Sequence, residues 1–297
     1  MTKNIAASVR QKLLNISRER KQRFNELLLR YALERWLYRL SQSRYSEKFV
    51  LKGAMMLTAW QIPTTRPTRD IDMLAQISND LDAVLGVIIE INQTETEPDG
   101  LIFDTENIIT ERIAEDALYE GVRARFRGNL DSARLDMQID IGFSDIVTPG
   151  PVDMTFPTIL DQPAPQLNAY NPETAIAEKF EAMVKLGELN SRMKDFYDIW
   201  ALSQFHSFTK SLLDKAVRST FRRRDTELDT NASCFSKEYG TSENKQKQWQ
   251  AFLKRSQLNE VAPANFEDVW KATIKFLEPI IHPQEDELKW EAGGPWK

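Results

Sequence analysis

Residues 66–74 read Arg66-Pro67-Thr68-Arg69-Asp70-Ile71-Asp72-Met73-Leu74. They follow a loop marked by Pro63 and Pro67 and read as a strand over 70–75. Side chains at i and i+2 of a strand point to one face, so Asp70 and Asp72 stand side by side. Like charges held close repel and call for a compensating cation. Mg²⁺ (or Mn²⁺), hard and oxygen-seeking, suits such a pair. An isolated Asp-x-Asp also arises by chance in acidic proteins, so its surroundings decide its meaning.

Upstream, Phe49-Val50-Leu51 is a short apolar run that leads into Lys52-Gly53-Ala54, and residues 54–60 read as a helical turn or two. A helix start there offers backbone N–H groups to a phosphate. Downstream, Val122, Ala124 and Phe126 alternate with Arg123, Arg125 and Arg127. Leu135, Met137, Ile139, Ile141 and Phe143 alternate with Arg134, Asp136, Gln138 and Asp140. Period-two alternation predicts half-buried strands, and Gly128-Asn129 reads as the turn region of an antiparallel hairpin. Asp140 then lies on a polar strand face with Asp136. A solvated strand face is its plainer reading. Joined to Asp70 and Asp72 beside a phosphate-binding turn, it completes a two-metal phosphoryl-transfer site. Arg66 is a candidate to neutralise leaving-group charge, whereas Arg69 alternates away from Asp70.

Helices are expected over 5–23 and 24–41, the second apolar on two stripes with Arg23, Glu26, Arg30 and Glu34 on its polar face, and over 79–91 with Asp80 near its start. The proline-rich stretch 149–172 reads as a boundary, dividing the chain into 1–160 and 161–297. Beyond it, helices are expected at 173–188, 193–204, 209–220, 243–255 and 265–279, with a polar loop at 225–243 and a mobile tail at 283–297. The fold class is α/β (α+β).

On the helix 173–188, Lys179 sits at the edge of the apolar face formed by Ile176, Phe180, Met183 and Val184. It is either a snorkelling lysine or a cation that meets a phosphate or carboxylate. Asp195 lies on the stripe of Ile199 and Leu202, with Asp198 at i+3. Carboxylates on an apolar stripe need partners, although an acid in the first helical turn is common for its own sake.

The 297 residues carry 39 Lys+Arg against 44 Asp+Glu, a net charge of −5, with two histidines and one cysteine. A His/Cys zinc site, a disulfide framework and most histidine-based hydrolases are excluded by those counts. No GxGxxG or Walker pattern runs through the 11 glycines. Chemistry must rest on carboxylates, lysine, arginine and an oxygen-bound metal. No apolar run approaches the roughly 18 residues of a membrane span. The charged first dozen residues do not read as a signal peptide, and a lone cysteine fits the cytoplasm. Residues 1–52 hold 13 Lys+Arg and 4 Asp+Glu, so they stand at +9 and the remainder at −14. That asymmetry suggests a polyanion contact, or a helix pair with a merely solvated basic face.

In order, FVLKGAMMLTAW, RPTRDIDM, LDMQIDIGFSDIVTP, ETAIAEKFEAMV and RMKDFYDIWAL resemble the AbiEii-type nucleotidyltransferases, toxins of type IV toxin–antitoxin and abortive-infection systems. YALERWLYRLSQSRYSEKFVLKG, FRRRDTELD, KQWQAFLKR and FEDVW extend the likeness over nearly the whole chain. The first blocks are shared with the wider polymerase-β-like superfamily; KDFYDI is more particular. The resemblance implies a nucleotidyltransferase-like mixed sheet with N-terminal helices and a helical C-terminal half. It implies Asp70, Asp72 and Asp140 as metal-binding carboxylates, and Lys179 and Asp195 as a further catalytic pair. Lys52, Gly53, Ala54, Arg66 and Thr68 are the expected substrate contacts. The superfamily often has Gly or Ser where Ala54 stands, which bears on substrate affinity. An NTP, an RNA or tRNA acceptor and a cognate antitoxin are the expected partners.

Two other readings stay open. A catalytically silent NTP-binding module would bind nucleotide without labelled product. A nucleic-acid-binding regulator would bind salt-sensitively and be indifferent to Asp70 and Mg²⁺.

Overall fold

The alternating segments form the middle of a mixed sheet in a computed structural model that describes residues 4–63, 66–116, 119–282 and 287–297. The chain divides into two compact units. The first comprises Met1–Ala59, Pro67–Ser144 and Val152–Ala169; the second comprises Trp60–Arg66, Asp145–Pro151 and Tyr170–Lys297.

The first unit begins with α1 (Ile5–Arg20) and α2 (Phe24–Gln42), then β1 (Phe49–Lys52), the short α3 (Met55–Ala59), β2 (Ile71–Ala75) and α4 (Leu81–Asn92). It continues with β3 (Leu101–Phe103), β4 (Ile109–Asp116), β5 (Tyr119–Leu130), β6 (Ala133–Gly142), β7 (Val152–Thr155) and β8 (Gln166–Ala169). The strand order is β3-β5-β6-β2-β1-β8-β7, with β4 also paired to β5. The β2–β6 and β1–β8 pairs are parallel and the others antiparallel.

Alternation decides which face each side chain takes. Leu51, Ile71, Met73, Ala124, Ile139 and Ile141 are buried, and on β2 and β6 Ile71 stands opposite Ile139 and Met73 opposite Ile141. Helices α2 and α4 pack with the sheet; Trp36 of α2 meets Phe126 at 6.5 Å and donates its indole N–H to Asn92 of α4 at 2.9 Å. Asp80 caps α4 by accepting from the N–H groups of Asp82 and Ala83, as its position in the sequence suggested.

In this unit three expectations are corrected. The hairpin turns at Asp131-Ser132, with Asp131 at φ 53°, and not at Gly128-Asn129. Gly128 continues the strand, and its missing β-carbon leaves room for the Phe103 ring, which would lie 3.1 Å from that carbon. Glu34 does not join a solvated face: it is fully buried and accepts the Ile159 N–H at 2.8 Å. Two cations of the basic first segment are also spent internally. Asp99 receives Arg39 at 2.6 Å and Arg35 at 3.2 Å, although Lys12, Arg18, Arg20, Lys21 and Arg23 remain exposed. Strands β7 and β8 lie within the proline-rich stretch.

The second unit contains α5 (Pro172–Leu186), α6 (Met193–Phe205), β9 (Phe208–Thr209), α7 (Lys210–Arg223), α8 (Lys237–Gly240), α9 (Glu243–Ser256), α10 (Phe266–Ile281) and β10 (Lys289–Trp290). Asn171 caps α5 by accepting from Thr174 N–H, and Pro172 opens its first turn, where the missing N–H costs nothing. Aromatic contacts join the helices: Phe180 with Phe221, and Phe196 with Phe266 and Tyr239. The stretch 225–243 is more ordered than its polarity suggested. Tyr239 and Cys234 are buried, and Trp270 donates its indole N–H to the Cys234 carbonyl at 2.8 Å. Burial pushes the Cys234 thiol up to about 12, so it is an inert core residue.

In the expected mobile tail, 283–286 lie outside the described residues. Beyond them β10 pairs with β9. Trp290 is buried and donates to the Ser203 carbonyl at 2.7 Å, and Trp296 stacks on Phe276 at 5.7 Å. Two tryptophans anchor what the polar composition presented as loose. Among the described residues no helix is long and apolar enough to cross a membrane.

Candidate active site

The parallel pairing of β2 and β6 puts Asp72 directly opposite Asp140. Asp70 lies in the bend just before β2, and its carboxylate reaches the same place. Each of Asp70, Asp72 and Asp140 offers a carboxylate oxygen within 4.8 Å of the others. Asp140 is buried, and Asp70 and Asp72 are half-buried. Three carboxylates with all-oxygen donors suit a hard divalent ion, so these residues fit a divalent metal.

Neighbouring strands supply the surroundings. Lys52, at the end of β1, is buried and stands opposite Asp72 in the antiparallel register. Gly53 follows at φ 73°, a left-handed conformation that only glycine adopts without strain. It turns the chain into α3, and Ala54 is buried there. Thr68 donates its hydroxyl to Asp70 Oδ1 at 2.5 Å, so it fixes the Asp70 carboxylate directly. On the other side Arg123 of β5 is the register partner of Asp140. Its Nε and Nη2 donate to Asp140 Oδ1 and Oδ2, each at 2.7 Å. That hydrogen bonding raises the Arg123 pKa above its usual value against the cost of burial. Arg125 pairs with Glu111 at 2.8 Å and Arg127 with Asp136 at 3.5 Å, both at exposed positions. The strand arginines therefore pair with acids across the sheet.

The remaining predicted site residues lie together in the second unit. Asp198 of α6 accepts a fork from Arg66, with Nε at 2.9 Å and Nη2 at 3.0 Å. Lys179 of α5 reaches Asp198 at 2.8 Å and Asp195 at 3.5 Å, and Arg192 reaches Asp195 at 3.1 Å. Asp195 and Asp198 are buried. Burial opposes the Asp198 charge, but Arg66 and Lys179 outweigh it and hold the carboxyl down to about 2. Burial likewise opposes the Lys179 charge, and Asp198 and Asp195 prevail, raising its pKa. Lys179 is thus a fixed cation rather than a base. The sequence reading missed Asp198 as the hub of this cluster; its signal was the i+3 spacing from Asp195 on an apolar stripe.

The predicted residues thus form two groups: Lys52, Gly53, Ala54, Thr68, Asp70, Asp72 and Asp140 in the first unit, and Arg66, Lys179 and Asp195 in the second.

Comparison with known proteins supplies the family. The curated proteins contain no significant sequence match to the chain. Among solved structures, the nucleotidyltransferase toxin MenT4 of Mycobacterium tuberculosis H37Rv is similar at 15% identity with a TM-score of 0.50, covering 93% of this chain and 96% of that one. JHP933 from Helicobacter pylori matches at 12% identity with a TM-score of 0.48, covering 84% of this chain and 90% of that one. At these identities the MenT4 likeness speaks for the fold. The profile of the family described as nucleotidyl transferase AbiEii toxin, type IV toxin–antitoxin system, matches residues 35–272. That span holds every one of the site residues above, and the chain belongs to this family of nucleotidyltransferase toxins.

Proposed function

We propose that the protein transfers a nucleotide from an NTP to an RNA acceptor, tRNA being the expected class, with release of pyrophosphate and dependence on Mg²⁺ or Mn²⁺. The observation that carries this reading is the pairing of Asp72 with Asp140 across parallel strands, with Asp70 just before β2 bringing a third carboxylate and donor oxygens within 4.8 Å of one another. Asp70, Asp72 and Asp140 would hold the divalent ion. Bound there, it supplies Lewis-acid polarisation of the phosphate and a lowered pKa for the attacking hydroxyl.

The other residues bind and orient. Thr68 holds the Asp70 carboxylate in one rotamer. Lys52 brings positive charge to the row of acids, and the Gly53-Ala54 turn offers backbone N–H groups to phosphate oxygens. Lys179 and Asp195 keep the role of catalytic pair that the family likeness implies, Lys179 as a permanently charged cation. Arg66 contributes through its fork on Asp198. The exposed cations of α1 and the loop after it suit an RNA backbone. A cognate antitoxin is the partner that the family's system implies.

The test is incubation with each α-labelled NTP, Mg²⁺ and total RNA, followed by gel separation. A labelled RNA band that disappears with EDTA and in Asp72→Asn is expected. No labelled species with any NTP would remove the transferase reading for these acceptors.

A further inference from the structure

Across five neighbouring strands the register aligns Lys52, Asp72, Asp140, Arg123 and Glu111 in one row. The two acids at its centre are flanked by cations, and a further acid lies beyond Arg123. Arg123 differs from the other arginines on its strand. Arg125 and Arg127 pair at the exposed surface, whereas Arg123 is only 26% exposed and makes a two-point fork on a buried carboxylate. Gln138 adds a third donor to Asp140, Nε2 to Oδ2 at 3.3 Å. With two acceptor sites per oxygen, Oδ2 is filled and Oδ1 retains one site.

We propose that Arg123 is a built-in counter-ion of the three-carboxylate cluster: it holds Asp140 when no divalent ion is bound and gives up that carboxylate when one binds. The proposal rests on the metal-site reading above. Three carboxylates within 4.8 Å of one another repel strongly, and a folded protein without metal needs a cation there. A guanidinium fork supplies it with defined geometry. A divalent ion on the same carboxylate is repelled by that guanidinium, so the two compete for Asp140. Glu111, the cross-strand partner of Arg123 on its other side and already in contact with Arg125 at 2.8 Å, is the acid towards which the displaced guanidinium can turn, sharing it with Arg125. Arg123 is therefore a positioning residue that sets metal affinity.

The experiment is calorimetric titration of Mn²⁺ into the full-length wild type, Arg123→Met, Arg123→Lys and Asp72→Asn, with thermal melts in EDTA and in Mn²⁺. Removing a unit charge beside a ligand changes divalent affinity by about ten-fold even with water-like screening. Arg123→Met should bind Mn²⁺ about ten-fold more tightly, melt lower in EDTA, and gain more from Mn²⁺ than wild type. Arg123→Lys, with one contact in place of a fork, should lie between them and carries the test if Arg123→Met does not fold. A residue that merely supports the fold would weaken metal binding when removed. Equal or weaker Mn²⁺ binding in the Arg123 variants, with binding lost in Asp72→Asn, overturns the exchange and leaves the metal site standing. Mn²⁺ binding unchanged in Asp72→Asn overturns the metal site itself, and the exchange with it.

Discussion

The carboxylate of Asp72 occupies the space beside Gly53 that a β-carbon would need. Gly53 is required twice over, because its φ of 73° is strained for any other residue. Gly53→Ala should cost about 1 kcal/mol from the backbone alone and drive the Asp72 side chain from its place opposite Asp140. Nucleotide transfer is expected to fall to background while the protein remains folded. Circular dichroism melts and a labelled-NTP assay read the two effects. An active Gly53→Ala enzyme would show that Asp72 is not needed where it stands.

Asp70→Asn and Asp72→Asn keep side-chain shape and remove one charge from a cluster of three. Repulsion in the metal-free protein drops, so melting in EDTA should be unchanged or slightly raised. Transfer should fall by about 100-fold or more, since the lost ligand supports charge developing in the transition state. Unchanged transfer in either variant would displace that residue from the metal site.

Much of this arrangement could be read from residue order, and the limits have physical causes. Alternation over Val122–Arg127 and Arg134–Phe143 identified β5 and β6, and the i, i+2 spacing put Asp70 and Asp72 on one face. The adjacency of Asp72 and Asp140 needs the parallel register of β2 and β6, which no local pattern encodes. Gly128 misled because glycine serves packing as well as turning: it makes room for Phe103. Glu34 was hidden because an acid on a helix looks the same in sequence whether it faces water or a buried partner, and the spacing that marked Asp198 as needing partners could not name Arg66 and Lys179 as those partners. Trp290 and Trp296 show the converse, since a few aromatics anchor a segment of otherwise loop-like composition.

Lys179 joins α5 to Asp195 and Asp198 of α6, and burial changes the outcome expected from sequence for its removal. Viewed as an edge residue, Lys179→Ala should cost activity alone. Viewed as a cation shared by two buried carboxylates, it should also cost about 2 kcal/mol for the lost charge-assisted contact, while Arg66 and Arg192 stay on Asp198 and Asp195. In the double variant Lys179→Ala/Asp198→Asn the contact is already absent, so it should lose less stability than the two single losses together, without restoring transfer. Urea denaturation of both single variants and the double variant gives the coupling. Additive losses would mean that the Lys179–Asp198 contact carries no energy of its own.

Glu34 makes stability depend on pH in a direction unusual for a carboxylate. Burial raises its pKa from 4.5 to about 7, against the opposing pull of the Ile159 N–H and Arg35. Between those values the unfolded chain has released the Glu34 proton and the folded chain keeps it. Folding therefore takes up a proton, and stability falls as pH rises through that window. The contribution is complete below pH 4.5 and is lost above about pH 7, where the difference amounts to about 3 kcal/mol. Glu34→Gln retains an acceptor for Ile159 and cannot titrate. Its stability relative to wild type should rise steadily from pH 4.5 to about pH 8. Taking the difference between the two proteins removes every other group that titrates in the same range. Parallel profiles in urea melts across this range would show that Glu34 is ionised in the folded protein above about pH 4.5, and that Arg35 neutralises it despite its burial.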